Sequence, residues 1–349
     1  HTVKEMGLTV EEVDKLTGPV LGRPKSATFR TCDVVGLDTL VHVANGVADN
    51  CPNDEKKSAF AIPSYVKHMA EQNWLGSKTG QGFYKKIKDD DGKSQILSLD
   101  LNTLEYKAQE KVKFDSIGKA REIDDLAEKT RILFNHKDKG GDFYRATFTD
   151  LFSYVSFRIP EISDELFRID DGVKAGFGWQ LGPFESWDAL GVSTVLTKMK
   201  ESGKAVASWV EEMVAAGNES FYKVEKGTRL YYDIPSKSYK AIPGTEELVI
   251  LENLRAEHTV WKNKDATIVD LGDGILNLEF HSKMNTIGAG TVAAINKAID
   301  LAEKEYEGLV VYNTGGNFSA GANVGMIFMM AVEQEYDELN FAIKQFQNT

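Results

Sequence analysis

One pattern occurs twice in this chain and limits what it can fold into. "ATFRTCDVVGLDTL" (27–40) holds Phe29, Asp33 and Gly36, and "LGPFESWDALGVST" (181–194) holds Phe184, Asp188 and Gly191, both at Phe-x3-Asp-x2-Gly spacing. Downstream, "SYVKHMA" (64–70) and "SWVEEMV" (208–214) share Ser-aromatic-Val-x2-Met. An aromatic ending follows each: "GQGFYKK" (80–86) in the first, and "ESFYKV" (219–224) or "GTRLYYD" (227–233) in the second. Landmarks that recur in order across spacers of different length indicate a duplicated supersecondary unit. The pattern predicts two mainly helical copies, 1–87 and 143–235, joined by a connector, 88–142. Within the connector, 83–100 reads as a hairpin around Asp90–Asp91–Gly92. The Asp89–Asp91 run reads as a solvated turn rather than a metal site, and 116–135 as a charged surface helix. The repeated Phe and Asp residues read as structural, with Asp33 and Asp188 as helix caps.

After about residue 240 the periodicity changes. "ATIVDL" (266–271) and "ILNLEF" (275–280), separated by Gly-Asp-Gly, predict a β-hairpin in which Leu276, Leu278 and Phe280 share a face. "TVAAINKAIDLAEKEYEG" (291–308) carries apolar residues at helical spacing, with Gly308 placed to stop the helix in a left-handed conformation. The strand 309–313 follows, then "GNFSAGANVG" (316–325), and together these open an α/β domain over 236–349. Small residues at that turn let something approach the backbone closely. A packing turn, a phosphate cradle and an oxyanion hole remain open for it. Neither Gly-x4-Gly-Lys-Ser/Thr nor Gly-x-Gly-x-x-Gly is present.

The formal net charge of −12 argues against a general binder of nucleic acid or anionic membrane. No run reaches the ~18 apolar residues of a bilayer span. Cys32 and Cys51 have neither Cys-x-x-Cys nor zinc-ligand spacing, and no metal site is expected. A reduced, cytoplasmic setting is the expectation, with Cys32 as a small buried residue. The chain opens at His1 in what reads as the middle of a helix, which suggests an internal piece of a longer polypeptide.

"FSAGANV" after a strand resembles the F-[SA]-A-G-A-[DN] motif of the enoyl-CoA hydratase/isomerase (crotonase) family. "FHSKMNTIGAGTVAAINKAID" is similar to that family's Pro-Lys-Ala-Leu-Asn-Ala-Leu segment and first helix, with Asn285 in the Asn position. Asn323 stands where Asp is commoner and Lys283 where Ala is usual. The resemblance implies that the Ala320 carbonyl faces the adenine of coenzyme A, across Gly321 from an Ala322 N–H that donates to the thioester oxygen. The helical copies resemble the C-terminal domain of 3-hydroxyacyl-CoA dehydrogenases. "TGPVLGRPKSATFRTCDVVGLDTL" (17–40) and "GWQLGPFESWDALGV" (178–192) are close to that family's G-P-F-E-x-x-D-x-x-G-L-D, and "WLGSKTGQGFYKK" (74–86) to its G-x-K-[TS]-G-x-G-F-Y.

These resemblances imply a mixed fold: two mainly-α dehydrogenase C-terminal-type repeats followed by the start of an α/β crotonase-type domain. They imply β-oxidation chemistry, in which NAD oxidises a 3-hydroxyacyl-CoA and an enoyl-CoA is hydrated. In those families the NAD-binding Rossmann domain and the catalytic His–Glu pair lie upstream of such a domain. The resemblance implies that the second oxyanion donor and the two catalytic Glu residues are to be expected beyond residue 349. His42, His68 and His136 match no catalytic His, and Glu333, Glu335 and Glu338 are expected in a solvated helical tail. Taken alone, the chain is expected to be inactive in both reactions. Arg23 and Lys25 in "GRPKS" are candidate contacts for a coenzyme A phosphate. Expected partners are an acyl-CoA substrate, a second copy through the helical domains, and a thiolase. The competing expectation is a non-catalytic scaffold or dimerisation module that keeps the helical fold.

Overall fold

The structure, a computed structural model, describes residues 1–88 and 92–349. The solvated turn expected at Asp89–Asp91 lies outside the described residues. The described residues form two compact units, His1–Tyr222 with Tyr231–Tyr239, and Lys223–Leu230 with Lys240–Thr349.

The first copy runs α1 (Thr2–Glu5), α2 (Val10–Thr17), α3 (Phe29–Val35), α4 (Leu37–Asn50) and α5 (Ser64–Glu71). An antiparallel sheet follows in the order β1 (Tyr84–Lys88), β2 (Ser94–Leu99), β3 (Tyr106–Ala108). Thr9 starts α2 with a capping box: its side chain accepts from Glu12 N while Glu12 accepts from Thr9 N. Val10, Val13 and Leu16 then form the helix's buried stripe. Gly36, at φ 100°, turns the chain between α3 and α4, a conformation that other residues adopt only with strain.

The connector holds α6 (Asp115–Ala120) and α7 (Leu126–Asn135). The single surface helix expected over 116–135 is therefore two helices. Asp125 accepts from Glu128 N and starts a new helix, since a short carboxylate satisfies a free helix-start amide better than it continues a helix. Thr130, Leu133 and Phe134 of α7 are buried, so α7 is a core element.

The second copy runs α8 (Lys139–Phe157), α9 (Leu166–Phe177), α10 (Pro183–Leu190), α11 (Val192–Glu201) and α12 (Ser208–Ala215). It ends in a sheet of order β4 (Tyr222–Glu225), β5 (Thr228–Asp233), β6 (Ser238–Ala241). Gly191, at φ 86°, repeats the turn of Gly36. The core here is aromatic: Phe152 stacks on Trp187 at 4.9 Å, and Phe221 meets Phe184 and Trp187 edge-on.

The other unit contains α13 (Leu251–His258), β7 (Thr259–Lys262), β8 (Ala266–Gly272), β9 (Ile275–Phe280), α14 (Ala289–Glu305), β10 (Gly308–Val311), α15 (Val324–Val332) and α16 (Tyr336–Gln347). The expected hairpin is β8–β9, closed by Asp273–Gly274, both at positive φ as a two-residue turn of this hand requires. α14 carries the chain from β9 to a parallel β10, giving the sheet order β10-β9-β8-β7. Leu276, Leu278 and Phe280 pack with Ile268, Ala294 and Ala298. Gly308 does not act as the helix stop. α14 ends at Tyr306 in extended geometry, and Gly308 begins β10, its N–H donating to Gly274 O.

Candidate functional site

The duplicated aspartates tie helix to sheet. Asp33 Oδ1 accepts from Phe83 N and Oδ2 from Tyr84 N, each at 2.8 Å. Asp188 repeats the grip on Phe221 N at 2.7 Å and Tyr222 N at 2.9 Å. "ESFYKV" is thus the counterpart of "GQGFYKK". The cap role expected of Asp33 and Asp188 falls instead to two residues outside the motif. Asp14 accepts from Thr28 N, Phe29 N and Arg30 N at the start of α3, and from Tyr84 Oη. Asp170 does the same for Phe184 N and Glu185 N at the start of α10, and accepts from Tyr222 Oη. Burial raises the carboxyls of Asp14 and Asp33 above the usual range. Burial, then the charge of Glu185, pushes Asp170 up to about 7. Phe29 and Phe184 are core residues, as expected for structural positions.

Arg23 and Lys25 part company. The Arg23 guanidinium lies 3.6 Å from the Trp179 ring centroid and 5.8 Å from Phe148, and burial lowers it to about 10. Lys25 is exposed and lines a cleft of about 1490 Å³. On one wall of the cleft stand Lys15, Lys25 and Arg30, from α2 to α3. On the other stand Lys111, Lys113, Lys119, Arg121 and Lys129. Three acidic residues line it with these eight cations: Glu11, Asp115 and the fully engaged Asp14. None of the eight forms an ion pair among the described residues. The amides of Lys111, Val112 and Lys113 likewise donate to no acceptor there. Sequence reasoning missed this cleft, because its cations are spread from residue 15 to residue 129.

In the other unit, the Gly/Ala turn is held against 284–287. Ala320 N donates to Met284 O, Gly321 N to Ser319 Oγ, and Ile287 N to Gly321 O. Ser319 Oγ donates to Asn285 O, and Asn285 Nδ2 to Asn317 O. Gly321 sits at φ 81°, which a side chain would strain. Both backbone groups of Gly321 are thus engaged. The Ala320 carbonyl and the Ala322 N–H have no partner among the described residues, and both alanines are exposed. Ala322 precedes α15, whose first turn is capped by Asn323 accepting from Met326 N.

A dinucleotide does not fit the nearest glycine pair. Gly288-Ala-Gly290-Thr-Val-Ala opens α14 with spacing close to a nucleotide-binding turn. An ideal Cβ on Gly290 would lie 2.0 Å from Asp265 Oδ2, so the bare backbone faces a carboxylate, not a phosphate. Of the histidines set aside above, His42 is exposed, His68 packs edge-on to Trp74, and His136 Nδ1 lies 3.5 Å from Asp138 Oδ1. Glu333, Glu335 and Glu338 are exposed. Cys32 is half-buried and Cys51 exposed. Among the described residues, no helix is long and apolar enough to cross a membrane.

Residues 1–86 match the family model for the 3-hydroxyacyl-CoA dehydrogenase C-terminal domain. The chain is 42% identical over 352 residues to a Bacillus subtilis protein described as a probable 3-hydroxyacyl-CoA dehydrogenase, covering 100% of this chain and 44% of that one. It is 22% identical over 343 residues to a Rickettsia felis protein described provisionally as a fatty acid oxidation complex trifunctional enzyme, covering 97% of this chain and 42% of the relative. A Deinococcus radiodurans protein, also described as a probable 3-hydroxyacyl-CoA dehydrogenase, is 49% identical over 88 residues, 25% of each chain. The chain spans less than half the length of these relatives.

Proposed function

We propose that the two helical copies are the substrate-side region of an NAD-dependent 3-hydroxyacyl-CoA dehydrogenase of fatty-acid oxidation. The family match over 1–86 and the likeness of the whole of this chain to 44% of the Bacillus relative support this. The paired joints at Asp33 and Asp188 supply the frame, fixing helix against sheet twice over. NAD does not fit the glycines described above, so this reading assigns NAD to residues other than these, and no hydride step is drawn through the chain.

We further propose that residues 236–349 belong to an enoyl-CoA hydratase-type domain. The observation that carries this is the alternation at 320–322. The two groups the resemblance assigns to coenzyme A and to the thioester oxygen have no partner among the described residues, while Gly321 between them is tied down. When water adds across the enoyl double bond, negative charge builds on the thioester oxygen. A preorganised N–H aimed at that oxygen stabilises the transition state by about 3–4 kcal/mol. Small side chains at 320–322 keep the approach open.

The test is a titration of the ¹⁵N-labelled chain with acetoacetyl-CoA. The Ala322 amide is expected to shift downfield while the Gly321 amide stays within error, and a Gly321 shift as large as that of Ala322 refutes the assignment. For the dehydrogenase reading, the full gene product is assayed for NAD-dependent oxidation of 3-hydroxybutyryl-CoA, and absence of turnover refutes it.

A further inference from the structure

We propose that the cleft between α2–α3 and residues 111–121 binds a nucleotide carrying two or more phosphates. The chain as a whole is acidic, at −12, yet this cleft gathers eight cations against three acids. Like charges held together without counter-charges repel one another, and an arrangement of this kind is relieved when a polyanion enters. Elsewhere many lysines are spent on carboxylates, as Lys78 on Asp38, Lys107 on Asp100 and Lys174 on Glu185. Among the described residues the eight here are paired with none. Lys111, Val112 and Lys113, which line the cleft, also have backbone amides that donate to no acceptor among the described residues.

The size and floor of the cleft narrow the class. At about 1490 Å³ it is far larger than inorganic phosphate needs and exceeds the ~300–1,000 Å³ usual for drug-sized ligands. Val20, Val34, Val112, Phe114 and Ile117 line it beside the cations. An anion with an apolar or aromatic part fits both features. The phosphates pair with the lysines, and the base packs on the apolar part of the lining. A free nucleotide and the nucleotide end of a coenzyme A ester share this chemistry, and the test separates them. Binding here is independent of the thioester reading, since the cleft belongs to one unit and Ala322 to the other.

The test is calorimetric titration of the chain with ADP, dephospho-coenzyme A, coenzyme A and pyrophosphate at 50 and 300 mM KCl. ADP is expected to bind and to weaken at least tenfold across that salt range. Lys113→Glu/Lys119→Glu, both surface positions, is expected to weaken it at least tenfold more than Lys67→Glu, an exposed lysine outside the cleft. Coenzyme A binding tenfold tighter than ADP supports the proposal and assigns the ester as source when the Lys113→Glu/Lys119→Glu variant loses it; coenzyme A binding that this variant keeps belongs to the other unit and overturns the ester as source. Equal binding of ADP and both coenzymes supports it with a free nucleotide as source. Pyrophosphate binding as tightly as ADP overturns the nucleotide class. No binding by ADP or either coenzyme, or equal loss in the Lys67→Glu variant, overturns the site. Loss of the Ala322 shift with acetoacetyl-CoA bears on the other unit alone.

Discussion

Replacing Asp33 by alanine removes the acceptor for two consecutive backbone amides, Phe83 N and Tyr84 N. Phe83 is only 1% exposed, so water cannot substitute at its amide without opening the sheet. A hydrogen bond to a charged acceptor contributes about 1.5 kcal/mol at the low end, so two contribute about 3 kcal/mol. At about 1.4 kcal/mol per decade this is roughly two orders of magnitude in an opening equilibrium. Asparagine keeps Oδ1 for Phe83 N but turns an amide group on Tyr84 N, so it loses one bond and about one order. Amide hydrogen exchange at Phe83 and Tyr84 reads this locally, without requiring that a chain of two units unfold in one step. Asp33→Ala is expected to lower protection at both amides about 100-fold. Asp33→Asn is expected to lower it about tenfold, mainly at Tyr84. Asp188→Ala is expected to do the same at Phe221 and Tyr222. The reasoning is refuted if the Asn and Ala variants exchange alike, or if Phe83 and Tyr84 respond less than amides of α5.

Two further outcomes follow from buried charge. Asp170 titrates at about 7 when folded and near 3.8 when unfolded, so the folded state holds the extra proton between those values and stability falls as pH rises through them. The full effect is on the order of 4 kcal/mol. Urea midpoints of the wild type should drop between pH 5 and pH 8, and Asp170→Asn should flatten that drop; a variant as pH-sensitive as the wild type contradicts it. In the other unit, Arg255 donates twice to Glu279, at 2.9 and 2.6 Å, and Glu279 is 1% exposed. Arg255→Ala should cost about 3–5 kcal/mol because it strands a buried carboxylate, with proteolysis inside 240–349 accelerating as the readout. Unchanged cleavage would show that Thr314, which also donates to Glu279, suffices.

The repeated motif was legible because Phe-x3-Asp-x2-Gly is a backbone requirement. The Asp must reach two amides, and the glycine must take a positive φ, so neither position tolerates substitution easily. The hairpin at 266–280 and the helix after it were legible from alternation and helical spacing. Asp14 and Asp170 were not. Each is one acid within a polar helical stretch, and their spacing to the following Phe differs by one residue, 15 against 14. That near-match was the available signal. The split of 116–135 hid behind continuous helical composition, where Asp125 was the clue. The turn at 316–325 announced closeness of approach but not its purpose. The engaged amide of Gly321 beside an Ala322 amide with no partner among the described residues is what supports the donor reading proposed above.

The joint at Asp33 and Asp188 holds main-chain atoms rather than side chains. What it grips is therefore present whatever residue stands at the gripped position. Two copies fastened in this way can exchange nearly every surface residue and much of their interior while their skeletons stay superimposable. The copy of Asp33 thereby sets Lys15, Lys25 and Arg30 along a cleft, while the copy of Asp188 fills with aromatic rings.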